Sequence, residues 1–283
     1  LCCLIVGASS MAQVPESKEG QLATVYLDDG SRLFGQLQTI TPDTVYLFSA
    51  VLGSLPVPQN TISQMRYMGE PKTAAGDFLL PNPNASRHFF SPTAIPLNKN
   101  EGYYQNFYVA FNMVNYGITD HISLGVAAVP FAWFINDGFN LAVTGKIGYK
   151  LTENLYGSAG YIAGFMPNIA YGGIGFGLLT AGNTDNNITV GGGYAAILTE
   201  PGTEYEESSQ APVLNMAGML RVAEHFALVT ENWFFLDGGI TLISYGGRYI
   251  GDKITVDVGF VNNGDIMKEI VIGVPLLGVV IYL

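Results

Sequence analysis

The side chains best placed to do chemistry are charged residues set in apolar, alternating segments. Lys146 and Lys150 sit among Leu141, Val143, Ile147, Tyr149 and Leu151, and Lys253 and Asp257 among Ile254, Val256, Val258 and Phe260. Arg221, Glu231 and Arg248 occupy similar settings between them. Charges so placed can pair, line a polar passage or steer ions. Nucleophilic catalysis asks for more, because a nucleophile needs a base within reach and a third group to orient it. The chain has three histidines, His88, His121 and His225, with no carboxylate cluster at ligand spacing beside them, so no transition-metal site is expected. Both cysteines, Cys2 and Cys3, fall in the first three residues, which excludes a Cys-ligated metal or an internal disulfide elsewhere. No glycine loop joins a strand to a helix, so nucleotide binding has no support and no cofactor is expected. Glu200, Glu204, Glu206 and Glu207 could hold Ca²⁺ weakly, but a solvated acidic loop is the simpler reading.

The elements that carry these charges are strands. In both segments the apolar residues fall on one parity and the polar ones on the other, the period of a strand with two unlike faces. On this pattern strands are expected at 87–95, 103–116, 122–133, 139–151, 155–165, 169–180, 187–198, 212–222, 226–235, 239–249, 253–262 and 270–282. The mixed parity then places Asn106, Asn112, Thr144, Lys146, Lys150, Asn215, Arg221, Glu231, Arg248, Lys253, Thr255 and Asp257 on one common face. Pro92 and Pro96 weaken the first strand, and Pro275 interrupts the last. Asn154 to Thr184 carries no charge and is long enough to suggest a membrane helix. Its many glycines, each costing about 1 kcal/mol in a helix interior, and Pro167-Asn168 at its middle favour two strands and a turn instead.

Composition agrees. The 283 residues are 48% hydrophobic and only 12% charged, where soluble domains carry about 25% charged residues. Much of the surface is therefore expected to face something other than water. A net charge of −11 excludes the basic footprint of a nucleic-acid partner.

The chain divides by composition. Residues 1–12 (LCCLIVGASSMA) read as the end of a secretory signal, with Ser10-Met11-Ala12 as the cleavage site. Residues 13–20 form a polar linker. Five short strands follow within 21–68, at 24–27, 32–40, 44–49, 55–57 and 62–68. The run Val25-Tyr26-Leu27-Asp28-Asp29-Gly30-Ser31, followed by Gly35-Gln36-Leu37, resembles the SH3-like and Sm-like barrels. Sm proteins bind RNA, but with Arg32 and Arg66 as its basic residues this segment has no basic stripe to carry that role. Residues 69–85, rich in Pro, Gly and Asn, read as a second linker.

Residues 86–283 resemble the outer-membrane β-barrels of Gram-negative bacteria. The resemblance rests on the signal remnant, the repeated strands, turns such as Tyr116-Gly117-Ile118-Thr119, and the apolar end Val280-Ile281-Tyr282-Leu283. It implies an all-β chain: an antiparallel transmembrane barrel of about twelve strands preceded by a small SH3-like barrel. It also implies outer-membrane lipid and the barrel-insertion machinery as partners, small solutes as cargo, and a periplasmic place for residues 21–68, where a periplasmic protein could dock. Many such barrels end in an aromatic residue, whereas here the aromatic is the penultimate Tyr282. Barrels of this class put short turns in the periplasm and longer loops outside. Short turns at 117–121, 152–154, 224–225 and 251–252 then make 103–116 a descending strand and require an ascending one before it, at 87–95, for an even count of twelve.

In that frame the mixed parity lines the lumen, because Arg or Lys facing lipid near the midplane costs ~2–4 kcal/mol. Lys150, Arg221, Arg248 and Lys253 are expected near the periplasmic mouth and Lys146, Glu231 and Asp257 nearer mid-height. They would favour anions, or pair to plug a structural barrel, or merely keep the lumen polar. The expected role is non-enzymatic: small-solute passage or envelope structure. An alternative is surface binding or adhesion through the 199–211 loop. A third is lipid hydrolysis, because His121-Ile122-Ser123-Leu124-Gly125 partly matches the His-x-Ser-Asn-Gly motif of an outer-membrane phospholipase family. Leu124 stands where that motif has Asn, and the run falls in a periplasmic turn rather than at the outer rim.

Overall fold

The computed structural model describes residues 19–29, 31–49, 51–67, 82–130, 140–166, 170–199, 209–237, 239–251 and 253–283. The signal-like residues 1–12, most of the second linker and the acidic loop residues 200–208 lie outside them. The chain forms two compact units, residues 1–79 and 80–283.

The first unit is one antiparallel sheet of five strands: β1 (Leu22–Leu27), β2 (Arg32–Ile40), β3 (Thr44–Ser49), β4 (Gly53–Pro58) and β5 (Ile62–Tyr67), in the order β4-β3-β2-β1-β5. All five strands read from the sequence are present, at nearly the expected bounds. Ala23, Val25, Leu37, Val45, Leu47 and Val57 alternate onto one face and form its core. The turn joining β4 to β5 crosses between opposite edges, with the Gln59 amide on the Asp43 carbonyl and the Asp28 amide on the Thr61 carbonyl. The sheet is a half-barrel: β4 and β5 are its edges, and the pairings do not close it.

The second unit is a closed antiparallel barrel of twelve strands. These are β6 (Gly102–Phe107), β7 (Phe111–Gly117), β8 (Ile122–Ala128), β9 (Leu141–Thr152), β10 (Leu155–Met166), β11 (Ala170–Gly182), β12 (Asn186–Thr199), β13 (Ser209–Ala223), β14 (Phe226–Phe235), β15 (Ile240–Ile250), β16 (Ile254–Asn262) and β17 (Val274–Tyr282). Each strand pairs with its neighbour in sequence, and β17 pairs with β6 to close the ring. The glycine-rich stretch 154–184 is the β10–β11 hairpin, in register from Leu155↔Ala181 to Met166↔Ala170. Among the described residues, no helix is long and apolar enough to cross a membrane.

Alternation decides the faces. Leu141, Val143, Ile147, Tyr149 and Leu151 of β9, and Ile254 and Val258 of β16, are exposed on the outside of the ring. Val190, Tyr194, Leu214, Met216, Leu220, Leu228 and Tyr245 continue this apolar exterior on neighbouring strands. The inner parity holds the buried residues Gln105, Thr180, Thr189, Glu231, Ser244, Arg248, Thr255 and Asp257.

Two strand expectations fail, and the failures are linked. Residues 103–116 are not one strand but the hairpin β6–β7, turning at Tyr108-Val109-Ala110. Tyr108 and Val109 take left-handed φ of 52° and 63°, a conformation that costs a bulky residue energy and gives no turn signal in sequence. Residues 87–95 are not a strand at all; their one ladder contact is an isolated bridge from Arg87 to Pro92. The count of twelve is thus reached by a different route. The ascending strand needed before the 117–121 turn is β6, and the turns at 118–121, 153–154, 183–185, 224–225 and 251–253 share one end of the barrel with its first and last residues. The hairpin also overturns two lumen assignments. Asn106 and Asn112 lie on the outward parity, opposite to buried Tyr103, Gln105 and Phe107. They satisfy each other across the turn, Asn106 Nδ2 donating to Asn112 Oδ1 at 2.9 Å.

Candidate functional site

The segment displaced from the wall fills the interior. Asn84, His88, Phe89, Thr93 and Ala94 are wholly buried, and Arg87 and Ser91 nearly so. The segment carries Pro83, Pro92 and Pro96, which cannot donate to a ladder. Its polar backbone must then be satisfied by side chains, since an unpaired buried amide or carbonyl costs about as much as a lost hydrogen bond. The barrel's inner parity supplies those side chains.

The anchor is a buried carboxylate between two guanidiniums. Asp257 Oδ2 accepts from Arg87 Nη1 at 2.9 Å, and Asp257 Oδ1 from Arg248 Nε at 2.6 Å. Arg248 Nη2 also donates to Asp257 Oδ2 at 3.1 Å and to the His88 carbonyl at 2.5 Å. Arg87 donates onward to the His88 carbonyl at 2.8 Å and to Asn84 Oδ1 at 2.8 Å, with its guanidinium 5.9 Å from the Tyr103 ring centroid. Arg248 and Asp257 face each other in the β15–β16 register, so the sheet presets half of the cluster and the segment brings the other cation. Around it, Asn84 Nδ2 donates to Thr255 Oγ1 at 3.0 Å, and the Tyr282 hydroxyl donates to Asn84 Oδ1. The penultimate aromatic is therefore turned into the lumen.

Glu231 makes a second anchor without a cation. Its Oε2 accepts the Phe90 and Ser91 amides at 2.9 and 3.0 Å, and its Oε1 accepts Trp233 Nε1 at 2.7 Å. Gln105 Nε2 donates to the Phe89 carbonyl at 2.7 Å, and the Ala94 amide donates to Thr180 Oγ1 at 2.8 Å. Lys146 Nζ donates to the carbonyls of Thr93 and Ile95 at 2.8 and 2.9 Å. Phe90 stacks on Phe107 with centroids 4.0 Å apart, and Phe89 joins Phe107, Met219, Val229, Ile250 and Leu276 in an apolar cluster. Gly148 on β9 lets the chain come close: a Cβ there would lie 2.8 Å from the Ala94 carbonyl oxygen. His88 Nε2–H donates to Asn187 Oδ1 at 3.1 Å.

Of the residues picked out by sequence, Lys146, Glu231, Arg248 and Asp257 thus converge on one segment. Arg221 is separate and pairs with Asp185 at 2.8 Å near the short-turn end. Arg248, expected at the mouth, is fully buried. Lys150 and Lys253 are exposed at the rim. Sequence reasoning missed Asn84, Arg87 and His88 as partners. A signal was there: in a wall strand, adjacent Arg87 and His88 would take opposite parities and one would face outward, at a cost of ~2–4 kcal/mol for Arg near a lipid midplane. His121 and Ser123 do not form a catalytic pair. The His121 ring stacks on outward Tyr149, with centroids 4.5 Å apart, while Ser123 is buried on the inner parity. Among the described residues no group of three His, Cys, Asp or Glu could hold a metal ion.

Fold and site together define a closed twelve-stranded β-barrel whose lumen is occupied by its own chain. No protein-family model matches the sequence, and no curated protein matches it. Among solved structures it is similar to the NanC porin, at 11% identity and a TM-score of 0.42 over 64% of this chain and 96% of that one. It is also similar to OmpF of Salmonella typhi, solved in complex with daunomycin, at 11% identity and a TM-score of 0.33 over 93% of this chain and 96% of that one. Both likenesses are low.

Proposed function

We propose that this chain is a non-enzymatic, porin-type β-barrel of the bacterial outer membrane, held in a restricted state by residues 82–97. The membrane reading is supported by the apolar exterior, since a soluble monomer rarely exposes a contiguous apolar patch larger than a few hundred Å². A barrel closed on itself leaves no unpaired strand edge in lipid. In this reading the short-turn end faces the periplasm, residues 1–12 belong to a secretory signal, and the N-terminal sheet is an SH3-like periplasmic domain able to dock a periplasmic protein.

The observation that carries the restricted state is the commitment of the lumen's charges. Asp257, Arg248, Glu231 and Lys146 all bind the internal segment rather than face an open passage. Two cavities lie between the segment and the wall, beside Lys146, Phe176 and Trp233. Passage is therefore limited to small solutes. The test is single-channel conductance of the refolded chain in a planar bilayer, beside a variant with residues 82–97 replaced by a Gly/Ser segment of equal length. The native chain gives small or no conductance steps and the variant several-fold larger ones. Large steady steps from the native chain, unchanged in the variant, would contradict the proposal.

A further inference from the structure

The space left beside the internal segment has a chemical character of its own. Its larger part is a cavity of about 60 Å³ bounded by Lys146, Ser86, Ser123 and Thr144 on its polar side and by apolar groups including Ile162 and Phe176. No carboxylate lines it. Lys146 uses two of its three N–H donors on the Thr93 and Ile95 carbonyls, and among the described residues no carboxylate lies within the 4.0 Å of an ion pair with it. The buried cations are matched differently: Arg87 and Arg248 share Asp257, and Arg221 pairs with Asp185. Glu231 is taken up by two amides and an indole. Arg87, Arg221 and Arg248 thus each touch a carboxylate, Arg87 and Arg248 sharing Asp257 as a net positive cluster, whereas Lys146 has none.

A second observation is independent of the charge. Ser86 is 6% exposed, its Oγ is buried without a hydrogen-bond partner among the described residues, and it lines the same cavity. Most buried polar side-chain atoms are paired, so an orphan hydroxyl beside an uncompensated ammonium marks a place for an acceptor.

We propose that this cavity binds a small monocarboxylate anion, of about the size of acetate or propionate, with its carboxylate on Lys146 Nζ and Ser86 Oγ and its alkyl end against Ile162 and Phe176. One ammonium without a carboxylate partner fits one negative charge. The volume admits only a few heavy atoms, because a single water occupies ~10–15 Å³ of such space. The proposal rests on the porin-type reading, for which it names a solute class.

The test is titration of acetate, propionate and sulfate into the refolded full chain in detergent, followed by calorimetry. Acetate and propionate bind saturably, and sulfate binds at least tenfold more weakly. Lys146→Gln weakens carboxylate binding at least tenfold, and Ser86→Val, which fills the cavity without removing a hydrogen bond, does the same. Lys150→Gln at the rim leaves it unchanged. Should Lys146→Gln fail to fold, Ser86→Val decides. Absence of saturation, equal affinity in Ser86→Val, or sulfate binding as well as acetate would overturn the proposal. Saturable binding in a chain that never conducts would overturn only the passage reading, and conductance without saturable binding only the site.

Discussion

Replacing Asp257 by Ala attacks the internal segment at its strongest attachment. The carboxylate accepts three N–H bonds, from Arg87 Nη1 at 2.9 Å and from Arg248 Nε and Nη2 at 2.6 and 3.1 Å, and all three side chains are buried. Removing one partner of a buried ion pair costs ~3–5 kcal/mol, because the remaining charge is left uncompensated. Here two like charges are left. The barrel ladder keeps its backbone pairs Arg248↔Asp257 and Asp257↔Gly278, so the loss falls on the contact with Arg87. At 1.4 kcal/mol per tenfold, the open population of the segment rises by roughly two to three and a half orders of magnitude. Ser91 reports on this, being 1% exposed with a side-chain hydroxyl that has no hydrogen-bond partner among the described residues. In a chain with Cys2 and Cys3 replaced, Ser91→Cys is alkylated slowly by a water-soluble maleimide. Adding Asp257→Ala speeds the reaction at least a hundredfold, and adding Arg248→Met to that pair brings it part of the way back. Equal rates with and without Asp257→Ala would refute the reasoning.

Other parts of the interior give smaller effects. Glu231→Ala strips the acceptor from two amides and the Trp233 indole, each bond to a charged group being worth ~1.5–3 kcal/mol; amide exchange at Phe90 and Ser91 accelerates, and Trp233 fluorescence shifts, while the barrel's circular dichroism is kept. Gly148→Val places a Cβ against the Ala94 carbonyl, so the segment shifts and Ser91→Cys alkylation in that background rises. Tyr282→Phe removes one donor to Asn84 and lowers unfolding stability by about 0.5–1.5 kcal/mol, read from the urea midpoint of the refolded barrel.

The barrel was legible wherever one strand face is apolar throughout. Leu141 to Leu151 and Ile254 to Phe260 show their direction in their parity, because an alternating wall admits one register only. The five strands of the N-terminal sheet were legible from their turn residues. What the sequence hid lies where local chemistry misleads. Tyr103 to Val114 is continuously strand-like, and its turn is made by Tyr108 and Val109, which carry no turn signature. Arg87 to Ile95 looks like a weak strand because Phe89, Phe90 and Ile95 are apolar, yet Phe89 packs in the inner cluster, Phe90 stacks on Phe107 and Ile95 is buried. Charges could be assigned to the lumen by the cost of facing them outward. Their partners could not, since Arg87 meets Asp257, 170 residues away, only once the ring has closed.

The central claim, that residues 82–97 are held inside the ring, is tested most directly by amide hydrogen exchange on the refolded full chain. The Phe90, Ser91 and Ala94 amides are bonded to Glu231 and Thr180, and His88 and Thr93 bond back to Ser91 and Ser86. Peptides covering residues 86–95 should therefore exchange as slowly as those from β14 and β16, and Asp257→Ala should release them while the strands stay protected. Exchange of 86–95 at the rate of an unstructured chain in the native protein, with the strands protected, would contradict the account.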